Sequence, residues 1–303
     1  MVLLEALSAS PAFFISAVLV LGLLVGSFLN VVIYRLPVML EREWRAQCAE
    51  LAQGTGIAAA QTDAAPRFNL IVPRSTCPKC KAPVGALENI PVLSYLFLRG
   101  RCAHCHAAIS PRYPLIEALT GALSAAVAWR FGYGFAALAA LGLTWFLIAL
   151  TFIDVDTQLL PDSMTLPLVW LGIATSAFLA PVPPLSLPVD LRDSVVGAMA
   201  GYLSLWSIYH LFRLVTGKEG MGYGDFKLLA AIGAFLGWRM LLPTVLGAAA
   251  VGAVCGIVIL GLKGRGRGVP IAFGPFLSAS GWIMMMWGND LLAGYMGLFV
   301  AHP

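Results

Sequence analysis

Between Glu5 and Arg35 the chain carries no charged side chain. A helix over residues 8–33, rising about 1.5 Å per residue, is long enough to cross about 30 Å of hydrocarbon. In lipid every backbone polar group must be satisfied within the segment, so a helix is the expected form of this run. No basic region precedes it and no small-residue cleavage site stands out, so it is expected to remain as a span. The run ends in Gly26-Ser27-Phe28-Leu29-Asn30-Val31-Val32-Ile33-Tyr34-Arg35-Leu36-Pro37. Gly26 and Ser27 allow close helix approach. Asn30 is polar inside the span and needs a partner, and Arg35 and Pro37 are expected to mark the exit to water.

Further apolar runs predict spans at about 113–130, 135–153, 163–180, 194–212, 226–241, 243–262 and 274–299. Trp238-Arg239 and Pro243 barely separate the sixth span from the seventh, so a count of seven is an alternative to eight. The composition agrees: the 303 residues are 59% hydrophobic, 11% charged and have a mean hydropathy of +0.85, where soluble domains average about 25% charged. The expected fold is an all-α polytopic membrane protein with about eight transmembrane helices. Three parts are expected: 1–36 as the first helix and exit motif, 37–112 as a small polar domain, and 113–303 as a transmembrane domain.

The polar segment 37–112 holds nine Lys/Arg. If it lies inside, 213–225 and 263–273 lie inside too, and 16 of the 19 basic residues fall on that side. Only Arg130, Arg192 and Arg239 remain outside. The positive-inside rule therefore predicts a cytoplasmic loop after the first helix and an external amino terminus. The connector 181–193 is expected to be external and Pro-rich, and residues 53–66 to be a flexible loop.

The polar segment also carries Cys77-Pro78-Lys79-Cys80 and Cys102-Ala103-His104-Cys105. Two such knuckles supply four thiolates to one tetrahedral ion, as in zinc ribbons, and complete its coordination. The ion is then structural, holding together a loop with little core of its own. Lys79, Lys81, Arg99 and Arg101 flank the thiolates and offset their charge. His104 and His106 are nearby, but the ligand set is complete without them. Cys48 and Cys255 are expected to be inert. The pairs point to metal in a reducing compartment rather than to disulfides.

Acids are rare beyond this loop. Asp154, Asp156 and Asp162 cluster at the end of the third span, and Asp225 follows Gly222-Tyr223-Gly224 just before Phe226 and Lys227. The predicted topology puts both turns on one membrane face. Asp162 reads as a helix N-cap, with Ser163 and Thr165 as rivals, and Asp156 reads as facing solvent. Asp154 borders the apolar run, and Asp225 lies beside two glycines that permit unusual dihedrals and leave backbone exposed to an extended substrate. Buried carboxylates are costly in a membrane and mark function. Two that share a site share a proton: the ionised one activates water against a peptide carbonyl, and the protonated one donates to its oxygen. No G-x-S-x-G or H-E-x-x-H occurs to support other protease classes.

GSFLNVVIYRLP, the paired CxxC loop, DVDTQLLPD and GYGDFK occur in this order on a multispan scaffold. The chain thereby resembles the type IV prepilin peptidases, the bifunctional prepilin leader peptidase/N-methyltransferases, over about residues 20–290. The resemblance implies a bacterial inner-membrane enzyme. It would cleave the basic leader of type IV prepilins, or of type II secretion pseudopilins, after a glycine on the cytoplasmic side. It would then methylate the new amino terminus with S-adenosylmethionine. It implies Asp154 and Asp225 as the catalytic pair, with Asp156, Gly222, Gly224 and Lys227 supporting, and zinc on Cys77, Cys80, Cys102 and Cys105. No residues for the methyl donor can be read from the sequence, because no G-x-G-x-x-G follows a strand; the polar loop is the place expected to hold it. Its partners would be pilin-type proteins and the lipid bilayer, with no nucleic acid. Alternatives are a GxGD-type intramembrane aspartyl protease with other substrates, and a non-enzymatic zinc-containing scaffold or transporter. The loop and the first-helix motif weigh against the first; acids at one membrane face rather than at the midplane, and the lack of an internal repeat, weigh against the second.

Overall fold

A computed structural model of the chain describes residues 2–54, 68–179, 187, 189–263 and 272–300. The loop expected at 53–66 lies almost entirely outside these residues, as do most of the 181–193 and 263–273 connectors, including Arg265 and Arg267. Among the described residues the regular structure is helical, interrupted by two isolated β-bridges. The helices are α1 (Val2–Ala9), α2 (Pro11–Gly54), α3 (Leu93–Phe97), α4 (Arg112–Phe131), α5 (Phe135–Thr157), α6 (Asp162–Phe178), α7 (Leu191–Thr216), α8 (Tyr223–Leu236), α9 (Leu241–Lys263) and α10 (Gly274–Val300).

Helices stand at all eight positions where spans are expected. Among the described residues, four segments are long and apolar enough to cross a membrane: Pro11–Ala52, Phe135–Thr157, Leu191–Thr216 and Trp238–Val258. The 226–241 run is the clearest departure. Its helix α8 closes at Leu236 because Gly237 turns the chain at φ +76° and a short 3-10 turn, Trp238–Met240, follows. At 14 residues it is about 21 Å long, short of a full crossing. Instead it is buried all round: every residue from Asp225 to Leu236 except Lys227 is inside the protein. A helix apolar on all faces belongs in a core, and α8 is that core.

The chain divides into two compact units. In the Ala17–Leu123 unit the first helix does not end at Pro37. It runs on to Gly54 with Pro37 inside it, correcting the expected exit. The residues beyond Pro37 are mostly strong helix formers and include a Glu41–Arg45 pair four residues apart, which sustains the helix past the lost amide. Nor does Arg35 emerge into water. It is buried, and its guanidinium donates to the carbonyls of Asn69 (2.9 Å) and Pro73 (2.7 Å), tying the start of the cysteine loop to α2. Asn30 has its partners, donating to the carbonyls of Gly26 (3.3 Å) and Tyr113 (3.1 Å).

In the unit made of Met1–Ser16 and Ser124–Pro303, α8 packs against α6, α7, α9 and α10, and α10 also packs against α5 and α9. The α7–α8 seam is the tightest. Gly197 and Gly201, spaced as G-x-x-x-G on α7, let backbones meet. A β-carbon on Gly197 would lie 2.2 Å from the Gly233 carbonyl oxygen, and one on Gly201 would lie 2.7 Å from that of Leu229. Ser194 donates to the Ala234 carbonyl (2.7 Å) on the same seam.

Candidate active site and metal centre

An acid in the last turn of a helix opposes the helix dipole, so Asp154 near the end of α5 is poorly placed for local stability. Gln158 closes that helix in a left-handed conformation (φ 55°), its amide bonded to the Asp154 carbonyl (2.9 Å). The Asp154 side chain is 5% exposed and turns inward. There its Oδ2 accepts a hydrogen bond from the Gly274 amide (3.0 Å) at the first turn of α10. A helix N-terminus is where a carboxylate is best received.

Asp225 is the third residue of α8 and is 7% exposed. The Gly222 backbone N–H bonds its carboxylate, the arrangement of an acid reaching back to its helix cap. The two aspartates belong to different helices, and Asp225 lies within Coulombic reach of Asp154. Leu160, in the turn after α5, packs over both sites. A β-carbon on Gly224 would lie 2.6 Å from its Cβ, and one on Gly274 would lie 3.3 Å from its Cδ1 and 2.5 Å from Asp154 Oδ2.

The glycines before Asp225 do not use the unusual dihedrals open to glycine. Neither takes a left-handed conformation: Gly222 is extended at φ −81°, ψ 148°. Gly224 is small because Leu160 lies against it, whereas Gly222 is open to added bulk.

Asp156 is exposed, as expected of a solvent-facing residue. Asp162 is not the N-cap of α6. Pro161 holds that position, and Asp162 is the first helical residue, its Oδ1 2.5 Å from Lys227 Nζ. The pair joins the start of α6 to α8 two residues beyond Asp225. The sequence reading misses Gly274 and Leu160. Gly274-Pro275 is a legible helix start, since proline is favoured in a first turn; that its amide meets Asp154, 120 residues away, is not legible.

The four cysteines converge. Cys77, Cys80, Cys102 and Cys105 place their sulfurs within 4.8 Å of one another. Cys77 Sγ and Cys105 Sγ are 3.8 Å apart, the edge of a tetrahedron whose centre is about 2.3 Å from each sulfur, as in zinc–thiolate sites. The two knuckles have the same form. In one, the Cys77 amide bonds the Ala82 carbonyl (2.9 Å) and Lys81 is left-handed (φ 60°). In the other, the Cys102 amide bonds the Ala107 carbonyl (2.8 Å) and His106 is left-handed (φ 56°). His106 thus matches Lys81, a turn residue, and His104 is exposed.

The Cys80 and Lys79 amides aim at Cys77 Sγ and hold its thiol down to about 6. The Ala82 amide acts likewise on Cys80, but desolvation and the neighbouring thiols of Cys105, Cys77 and Cys102 outweigh it and push Cys80 up to about 11. Thiols this close do not all ionise until a cation stands among them.

The Bacterial Peptidase A24 N-terminal domain matches residues 20–131, and the Type IV leader peptidase family matches residues 141–257. Among curated proteins, the prepilin leader peptidase/N-methyltransferase of Stutzerimonas stutzeri is 51% identical over 292 residues, 96% of this chain and 97% of that protein. Those of Pseudomonas aeruginosa and Neisseria gonorrhoeae are each 48% identical, over 98% of both chains. No solved structure matches the chain. An all-helical chain with paired cysteine knuckles, similar over nearly its whole length to these proteins, belongs to the type IV leader peptidase family.

Proposed function

We propose that this protein removes the leader peptide from type IV prepilins and N-methylates the amino terminus so exposed. The observation that carries the peptidase reading is the pair Asp154 and Asp225. They are two carboxylates less than 10% exposed, on separate helices of an apolar core and near enough to interact. Burial of two interacting acids stabilises no fold, and with one of them protonated the pair offers a base and an acid at once. The ionised carboxylate takes a proton from water as its oxygen attacks the scissile carbonyl carbon. The protonated one donates to the carbonyl oxygen. Collapse of the tetrahedral adduct breaks the C–N bond, and a proton passes to the departing amine.

A prepilin carries a basic leader ahead of an apolar helix that lies in the bilayer, which puts the scissile bond at the membrane edge. The basic-residue asymmetry supports a cytoplasmic site in a bacterial inner membrane. Asp156 and Glu219 are exposed acids suited to a basic leader. Asp162 is exposed too and forms an ion pair with Lys227. Pseudopilins share this chemistry and are included in the proposed substrate class.

Zinc is the proposed ion of the four-cysteine site, where it would have a structural role. S-adenosylmethionine supplies an electrophilic methyl group when bound, and the methyltransferase name of the relatives supports it as the donor. Residues 37–112 are proposed as the metal-binding part and 113–303 as the transmembrane peptidase part, the boundary at 36 falling within α2.

Asp154→Asn and Asp225→Asn test the peptidase reading. Each is expected to abolish leader removal from a prepilin in reconstituted membranes, while metal content and methylation of a pre-cleaved pilin persist. Normal cleavage by either variant would overturn the assignment.

A further inference from the structure

The Ala17–Leu123 unit contains a short helix whose outer face is left exposed among the described residues. On α3, Leu93, Leu96 and Phe97 are 51%, 63% and 83% exposed. Their spacing, i, i+3 and i+4, puts all three on one face. Leu87 and Ile90, just before the helix, are exposed as well. Tyr95 lies on the opposite face and packs inward: a β-carbon on Gly100 would lie 2.9 Å from its ring. Arg99 and Arg101 follow, both exposed. Three exposed apolar side chains on one helix face, with two more exposed apolar residues and two exposed arginines within a few residues in sequence, make a locally apolar and cationic surface.

The position of this face relative to the lipid is fixed inside the same unit. The Val92 amide, at the start of α3, donates to Glu117 Oε2 (2.7 Å). Ser27 bonds the same carboxylate, and a β-carbon on Gly26 would lie 2.7 Å from Glu117 Cα. Gly26 and Ser27 belong to the uncharged stretch of α2. They precede Arg35, the first charge of that helix, by nine and eight residues, about 12–14 Å along the axis. The start of α3 is therefore bonded to a group well inside the apolar band of α2.

We infer that α3 is an interfacial helix, with Leu93, Leu96 and Phe97 inserted into the leaflet beside α2 and Arg99 and Arg101 at its phosphates. A lipid surface fits on depth, on the apolar face and on charge. The cysteine knuckles are thus held at the membrane surface by α3 as well as by their two flanking helices. A second copy of the chain or another protein would cover the same apolar face, but neither accounts for the depth set by Glu117.

The test uses the full chain in vesicles of phosphatidylethanolamine and phosphatidylglycerol, with the photoreactive p-benzoylphenylalanine placed singly at Leu93, Leu96 or Phe97. Metal content equal to the parent's identifies folded variants. Irradiation followed by mass spectrometry is expected to give lipid adducts several-fold above those from the same group at Arg45, on the exposed part of α2. Adducts no higher than at Arg45, or cross-links to a second copy in place of lipid, would overturn the inference. Neither result depends on cleavage or methylation.

Discussion

The Gly274 amide stands 3.0 Å from Asp154 Oδ2, and a β-carbon at position 274 would stand 2.5 Å from that same oxygen. The hydrogen bond and the absence of a side chain are thus one feature: α10 approaches Asp154 this closely because residue 274 is glycine. Gly274→Ala should displace the carboxylate without altering its chemistry. A misplacement of about 1 Å at a reacting group costs on the order of 100-fold in rate. Leader cleavage in proteoliposomes is expected to fall by that order, mainly in kcat. Methylation of a pre-cleaved pilin should be unchanged. Cleavage at the parent rate would remove Gly274 from the site.

Lys227 and Asp162 form the one ion pair among the described residues that joins the start of α6 to α8, which carries Asp225. The Asp162 side chain is 57% exposed and that of Lys227 24%, so solvent screens the pair and its coupling should be about 0.5–1 kcal/mol. Asp162→Asn and Lys227→Met are each expected to lower cleavage a few-fold rather than abolish it. The double variant should lose little more than either single one. A cycle of the four proteins measures this, and additive losses would show that the pair does not act as a unit.

The metal site gives a prediction in pH. Without an ion the Cys77 thiol is held down to about 6 by the Cys80 and Lys79 amides, and a bound ion would hold it lower still. Each protonated ligand competes with the ion, so acid favours release and alkali favours retention. One zinc per chain is expected at neutral pH by elemental analysis. A chelator should strip it faster as the pH drops from 7.5 toward about 5.5. Cys102→Ser should reduce metal content and expose the knuckles to proteolysis, while Cys48→Ser should do neither.

Much of this was legible in the chain because the relevant signals are local. Apolar runs announced helices at eight positions, and two CxxC pairs announced a four-sulfur site. The features that were not legible depend on contacts between distant residues. Pro37 reads as a helix end, yet α2 continues because the helix formers beyond it outweigh one lost hydrogen bond. Asp162 reads as a cap, but Lys227, 65 residues on, claims its carboxylate. The 226–241 run reads as a span, but its helix is a buried core element that stops at Gly237. Gly224 reads as a residue of unusual dihedrals, but its need is room for Leu160.

The α7–α8 seam sets the position of Asp225, and it should be the least tolerant place in the membrane domain. An added methyl on Gly197 meets the Gly233 carbonyl oxygen at 2.2 Å, and one on Gly233 meets the Gly197 carbonyl oxygen at 2.2 Å. Each obstacle is backbone, so no side-chain rotation relieves it and the helices must part. Gly197→Ala is expected to cost about 3 kcal/mol or more, the upper end for overpacking. Gly294 is the matched control: it also lies in a helix, α10, but an added methyl meets nothing within 4 Å. Gly294→Ala should be neutral or stabilising by up to about 1 kcal/mol, as alanine favours a helix over glycine. Thermal unfolding in detergent compares the two. Gly197→Ala should unfold well below the parent, and any fraction that stays folded should cleave poorly because α8 carries Asp225. Equal stability of Gly197→Ala and Gly294→Ala would mean that the two backbones do not meet at this seam.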